Sequence, residues 1–207
     1  NLYIEPMLSI TSLALESFKY NSINQILDLG CENGVTSCYY AKLFPDARIT
    51  AIDINRNCII QANNLKDKLG LKNINFIQSD LYSFNEPESS YDLIVCHNFF
   101  IELTMRSVKS KKHHELAQGL NHIYPLLSNK GSLISMERLQ DMDEYVNFIH
   151  TFQSIKFYIN LQKSVMVNFK IDKHDTEQCM PLMYFEKDGQ EVNPKKAASS
   201  LYAQRAR

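Results

Sequence analysis

What this sequence has little of narrows its function first. It has almost no net charge: 22 Lys and Arg against 23 Asp and Glu leave −1 over 207 residues. That balance gives no general pull toward nucleic acid or an anionic membrane, though it does not exclude a local basic patch. No apolar run approaches the ~18 residues that a membrane-spanning helix needs, and the first residues do not read as a signal peptide. The five cysteines (31, 38, 58, 96 and 179) are odd in number, widely spaced and free of any C-x-x-C pair. A disulfide framework and a zinc site are both disfavoured, and a reducing cytoplasm is the better fit. Internal repeats and low-complexity tracts are also absent.

What remains is the composition of a globular domain, 44% hydrophobic and 22% charged. A chain of this length buries roughly 70% of its unfolded surface and needs no covalent staples. It begins at Asn1 and not at Met, so a longer N-terminal region is expected.

The hydrophobic pattern alternates between periods. After Pro6, apolar residues at helical spacing predict a helix over about 6–19. "INQILDLG" reads as a buried strand, "GVTSCYYAKLF" as a helix ending near Pro45, and "ARITAIDI" as a second strand. "NRNCIIQANNLKDKLG" is a helix with Gly70 as its stop, "NINFIQSD" a third strand, and "YDLIVCH" a fourth. A helix over 110–127, a "SNKG" turn, a fifth strand "GSLISMER" and a helix over 141–155 follow. Two closing strands, 157–171 and 179–187, have no helix between them. Such alternation implies a mostly parallel sheet covered on both faces, with an antiparallel strand at the end. The expected organisation is an N-terminal helix or lid over 1–22, one α/β domain over 23–187, and a polar, flexible tail over 188–207.

In an open α/β sheet, ligands bind beyond the carboxyl ends of the strands, where strand order reverses. The strand-end residues Asp28, Asp53, Asp80 and His97 are therefore the first candidates. The turn after the first strand, "LDLGCENG", carries Gly30 and Gly34. A dinucleotide fingerprint beginning at Gly30 would need glycine at 32 and 35, and the chain has Glu32 and Val35. No Gly-Lys-Ser/Thr follows, so a phosphate-cradling P-loop is absent too. An acid at a strand end beside a glycine turn suits a ligand that carries positive charge and no phosphate. S-adenosylmethionine, with its ammonium and sulfonium, is such a ligand: Asp28 can attract the ammonium, and Gly30 lets the methionyl part lie on the backbone.

At these motifs the chain resembles a family. "ILDLGCENG", "ITAIDIN", "FIQSDLYSF" and "YDLIVCHN", in this order and spacing over about residues 23–137, resemble the class I S-adenosylmethionine-dependent methyltransferases. The resemblance implies a three-layer Rossmann-like α/β sandwich, with a mostly parallel seven-stranded sheet and an antiparallel C-terminal strand. It implies that Gly30, Cys31 and Gly34 form the cofactor turn beside Asp28. It implies that Asp53 takes both ribose hydroxyls and that Ile54 packs on the adenine. Asp80 should accept from the adenine amino group, Leu81 should supply a backbone N–H, and His97 and Asn98 should line the methyl-transfer site. Glu32 departs from the pattern, which often has a glycine there.

Each of these residues also has a plain structural reading. Asp28 or Asp80 can cap a turn. Asn55 is the better cap for the following helix, which leaves Asp53 for ligand. His97 can be a hydrogen-bonded core residue; as a functional residue it is the candidate general base, with an ordinary pKa near ~6.5. Cys96 reads as a small buried side chain, not a nucleophile.

The acceptor is the least determined element. Amino-methylating nucleic-acid enzymes of this fold usually carry Asn/Asp-Pro-Pro-aromatic after the fourth strand. Here the sequence is Asn98-Phe99-Phe100-Ile101. A small-molecule acceptor is expected, with Asn98, Phe99 and Glu102 as its candidate contacts. The alternatives are an RNA or protein acceptor docked on the basic loop 106–114, or a non-catalytic relative that only binds the cofactor. No membrane partner and no metal are expected.

Overall fold

The apolar runs become strands of one sheet. The computed structural model describes residues 23–105, 112–170, 177–187 and 189–206. The helix expected over 6–19, and with it the proposed lid, lies outside these residues, as do residues 106–111 of the basic loop.

In chain order the elements are β1 (Gln25–Leu29), α1 (Val35–Leu43), β2 (Arg48–Asp53), α2 (Arg56–Leu69) and β3 (Ile74–Gln78). Then come β4 (Tyr91–His97), α3 (Phe99–Met105), α4 (Lys112–Ile123), β5 (Leu127–Met136) and α5 (Met142–Ser154). The chain closes with β6 (Tyr158–Ile159), β7 (Val165–Lys170), β8 (Glu177–Glu186), α6 (Pro194–Tyr202) and a 3-10 turn, Ala203–Ala206. The sheet order is β3-β2-β1-β4-β5-β8-β6, and β7 also pairs with β8. The first five strands are parallel, and β8 runs antiparallel to β5. Order reverses between β1 and β4, so the carboxyl ends there are the place for a ligand.

Local chemistry sets the helix ends. Asn55 caps α2, its side chain accepting from the Asn57 N–H, and Gly70 ends that helix at φ +66. Asp141 caps α5 by accepting from the Glu144 N–H at 2.9 Å. Strand alternation divides the core into two layers. Leu27 and Leu29 face a layer under α3–α6, which includes Phe100, Phe148, Phe152 and Leu201. Ile26 faces the layer under α1 and α2, with Tyr40, Ile59 and Ala62.

Three expectations are corrected. The strand read over 157–171 is two strands, because Asn160 folds the chain on itself: its side-chain oxygen accepts from the Gln162 and Lys163 N–H groups, and its carbonyl accepts from the Ser164 hydroxyl. The sheet therefore has eight strands, with β6 and β7 sharing the edge beside β8. The "SNKG" segment is not a free turn: it lies within β5 as a bulge, since register jumps from Tyr91↔Leu127 to Leu93↔Ser132. The tail read as flexible contains α6. Asn193 caps it by accepting from the Lys196 N–H, Pro194 starts it, and Ala197, Ala198 and Leu201 are buried against the core.

Candidate active site

A cleft of about 570 Å³ opens over the carboxyl ends of the five parallel strands. Gly30 and Glu32 reach it from the turn after β1, and Ile52, Asp53 and Ile54 from the end of β2. Ser79, Asp80, Leu81 and Tyr82 follow β3. His97, Asn98 and Phe99 end β4, Glu102 and Leu103 come from α3, and Arg138 follows β5. The structure thus gathers nine of the sequence-predicted site residues, Gly30, Asp53, Ile54, Asp80, Leu81, His97, Asn98, Phe99 and Glu102, in one cleft. Asp28, Cys31 and Gly34 do not line it.

The case of Asp28 corrects the sequence reading most. It shares a face of β1 with Ile26, so alternation aims it beneath the turn at α1. There it is 2% exposed and accepts a 2.6 Å hydrogen bond from the Ser37 hydroxyl. Burial pushes its carboxyl up to about 7, although the Ser37 bond pulls the other way. Cys31 is buried in the same layer, its thiol pushed well up by burial. Gly34 serves packing: at φ +78, a Cβ there would stand 2.6 Å from Ala62 Cβ and 2.7 Å from Phe76 Cζ. The start of α1 can sit against α2 and β3 only if position 34 has no side chain.

Gly30 (φ +72) is also required by protein, since a Cβ would meet Phe99 Cδ2 at 2.9 Å. The Phe99 ring, not only a ligand, occupies the space that this glycine leaves. Glu32 resolves its own anomaly. It takes φ +46 without glycine, and its N–H donates to Asp53 Oδ2 at 2.9 Å. Asp53 Oδ1 accepts from the Asn55 N–H at 2.8 Å. Asn55 is indeed the helix cap, yet Asp53 is not left free: it uses one site on each oxygen and keeps the others toward the cleft.

Next to it, Ile54 is 70% exposed, an apolar side chain standing at the cleft wall. Asp80 Oδ1 accepts from the Tyr82 and Ser83 N–H groups, and its hydrogen bonds from Ser83 hold its pKa down. The turn-capping reading of Asp80 is therefore correct.

His97 is half-buried at the cleft floor, its Nε2 3.4 Å from the Tyr40 hydroxyl and its ring stacked on Tyr40. Burial pushes its pKa down to about 4, so the imidazole is neutral at physiological pH. The neutral ring is the form a general base needs, and the lowered pKa makes it a weaker base than the ordinary histidine that the sequence suggests.

Two features escaped the sequence reading. Asn98 is left-handed at φ +53, and its Oδ1 accepts from the Arg138 N–H at 3.1 Å. Glu137, fully buried, accepts from the Phe100 and Ile101 N–H groups and the Ser135 hydroxyl. Burial pushes it up to about 7. It anchors the start of α3 and with it the turn that carries Asn98 and Phe99. Applying the strand-end rule to the fifth strand, "ISMER", would have flagged both Glu137 and Arg138.

A family model described as a methyltransferase domain matches residues 21–186. The chain belongs to this family, the class I S-adenosylmethionine-dependent methyltransferases. It is 30% identical over 148 residues to malonyl-[acyl-carrier protein] O-methyltransferase 2 of Ilyobacter polytropus, covering 58% of this chain and 54% of that protein. It is 28% identical over 131 residues to a tRNA1(Val) (adenine(37)-N6)-methyltransferase of Vibrio campbellii, covering 59% of this chain and 54% of that one. The chain spans about half the length of these relatives. Among solved structures, a SAM-dependent methyltransferase from Aquifex aeolicus superposes with a TM-score of 0.60 at 17% identity. That match covers 88% of this chain and 98% of the other and speaks for the fold alone.

Proposed function

We propose that the protein transfers a methyl group from S-adenosylmethionine to a small-molecule acceptor. The observation that carries this is the continuity of the cleft. It joins a carboxylate with spare acceptor sites beside an exposed apolar residue (Asp53 and Ile54) to a second group at the end of β4 (His97, Asn98, Phe99). When bound, the cofactor supplies an activated methyl: the acceptor's nucleophile bonds to the methyl carbon as the carbon–sulfur bond breaks, its electron pair staying on sulfur.

The chain's residues supply binding and alignment. Asp53 holds the ribose hydroxyls, Ile54 packs on the adenine, Leu81 supplies a backbone N–H to it, and the Asp80 carboxylate accepts from its amino group. Glu32, Asp53 and Asp80 bias this end of the cleft toward a cationic ligand. Asn98 and Phe99 wall the acceptor, and the neutral His97 positions it. A histidine with a pKa of about 4 is a weak base at neutral pH. The arrangement therefore favours an acceptor whose nucleophile needs no deprotonation before attack, such as a carboxylate, a thiolate or a free amine.

An RNA acceptor is less well supported. Among the described residues lining the cleft, four carboxylates stand against one guanidinium, and these residues themselves offer a polyanion little attraction. The test is calorimetry with S-adenosylmethionine and S-adenosylhomocysteine, followed by a labelled-methyl screen over metabolite extracts. Binding of both and label in a small product support the proposal; failure to bind either removes it.

A further inference from the structure

At the far side of the cleft stands Arg138, the only cation among the described lining residues. Its placement is fixed from both sides. Glu137 before it is buried on three hydrogen bonds, and Leu139 after it is 4% exposed, its N–H donating to the Glu137 carbonyl. The Arg138 N–H itself is held by Asn98 Oδ1 at 3.1 Å. With both neighbours turned inward, the Arg138 side chain leaves toward the cleft.

Its guanidinium faces Glu102 at 3.8 Å, and both side chains are more than half exposed. An exposed pair at that separation contributes little, and a carboxylate that meets the guanidinium in two-point fashion displaces it.

Arg138 also stands apart from the cofactor end. From β2, which carries Asp53, to β5, which precedes Arg138, the sheet crosses three strand spacings, about 14 Å at ~4.8 Å each. The cofactor end keeps its own acids, and the β5 end has a cation with only a loosely held partner.

We infer that Arg138 anchors a carboxylate of the acceptor, with Glu102 as the counter-ion it releases on binding. The acceptor is a small organic acid. This rests on the methyltransferase reading and names the substrate class for that site.

The experiment is calorimetry on the S-adenosylhomocysteine-saturated protein with the dicarboxylates from malonate to adipate and their matched diamides. At least one dicarboxylate is expected to bind tenfold or more tightly than its diamide. Arg138→Gln should lose at least tenfold of that affinity, Arg138→Lys should fall between, and Glu102→Gln should tighten binding several-fold. Arg138→Gln should bind S-adenosylhomocysteine as the parent does, which also reports that the variant is folded. The inference is overturned if no dicarboxylate outbinds its diamide, or if Arg138→Gln binds the acid unchanged. It is equally overturned if Arg138→Gln weakens S-adenosylhomocysteine tenfold, because the guanidinium then serves the cofactor's own carboxylate. If S-adenosylhomocysteine fails to bind the parent protein, the methyltransferase reading falls first and the inference with it.

Discussion

The Asp53 carboxylate is tied to the backbone of Glu32, whose N–H donates to Oδ2 at 2.9 Å. The end of β2 thereby clamps the turn that follows β1, and the same carboxylate fixes the loop and faces the cleft. Four lone-pair sites, two of them used, leave one per oxygen for a pair of ligand hydroxyls. Asp53→Ala is predicted to weaken S-adenosylhomocysteine binding more than tenfold. Asp53→Asn, with one acceptor oxygen instead of two, should lie between. Calorimetry decides it, and unchanged affinity in Asp53→Ala removes the ribose assignment.

Gly30 and Phe99 form a second interdependent pair. Gly30→Ala meets two costs: a left-handed alanine, roughly 1–2 kcal/mol, and the 2.9 Å approach to the Phe99 ring. Phe99→Ala in the Gly30→Ala background removes the second cost and not the first. Urea unfolding of the two single variants and the double should therefore show non-additivity, with the double more stable than the summed singles predict. Strict additivity would mean that the ring moves aside freely.

The sequence made the parallel half of the fold readable because its signals are local: apolar runs ending in Gly or Asp, an Asn55 cap, a Gly70 stop. It made most of the cleft readable for the same reason, since strand ends converge at one edge of a parallel sheet. It misled at Asp28, because a strand-end acid reads the same whether alternation turns it into the cleft or under the turn. Only the facing Ser37 on α1 decides, and that contact is tertiary. The α6 helix was missed although Asn193-Pro194 is a start signal and Ala197, Ala198 and Leu201 form a narrow apolar stripe. Alanine-rich stripes are faint, and the polar residues around them outweighed the cap. The split of β6 from β7 rests on the Asn160 side chain accepting from the Gln162 and Lys163 N–H groups, which a run of apolar residues on both sides conceals.

His97 carries a prediction in its protonation. Burial holds its pKa at about 4, so the ring nitrogens should show no titration between pH 5 and 8 in long-range proton–nitrogen NMR. The methyl-transfer rate should likewise show no inflection from this residue over that range. His97→Asn should reduce the rate by less than the ~10²–10⁴-fold that removing a general base costs. A ring titrating near pH 6.5 would restore the base assignment.

The buried acids make stability depend on pH in an unusual sense. Asp28 and Glu137 are both pushed up to about 7 by burial, from ordinary values of 3.8 and 4.5. Between about pH 4 and 7 the native state keeps protons that the unfolded chain has released, so unfolding liberates them and stability falls as pH rises. Each acid contributes a slope of at most about 1.4 kcal/mol per pH unit. His97 acts oppositely, because its depressed pKa makes the unfolded chain the proton-richer state between about pH 4 and 6.5. The wild-type slope is thus a difference of terms, and comparison with a variant isolates one of them. Asp28→Asn keeps an acceptor for the Ser37 hydroxyl and removes the titration. Its stability relative to the parent should therefore increase steadily from pH 4 to 7 and level off above, as read from urea midpoints at constant m-value. Glu137→Gln loses one backbone acceptor and should be less stable at low pH, yet its pH slope should flatten in the same sense. Parallel curves for Asp28→Asn and the parent would mean that Asp28 is ionised in the fold, and the carboxyl beneath the turn would then need a cationic partner.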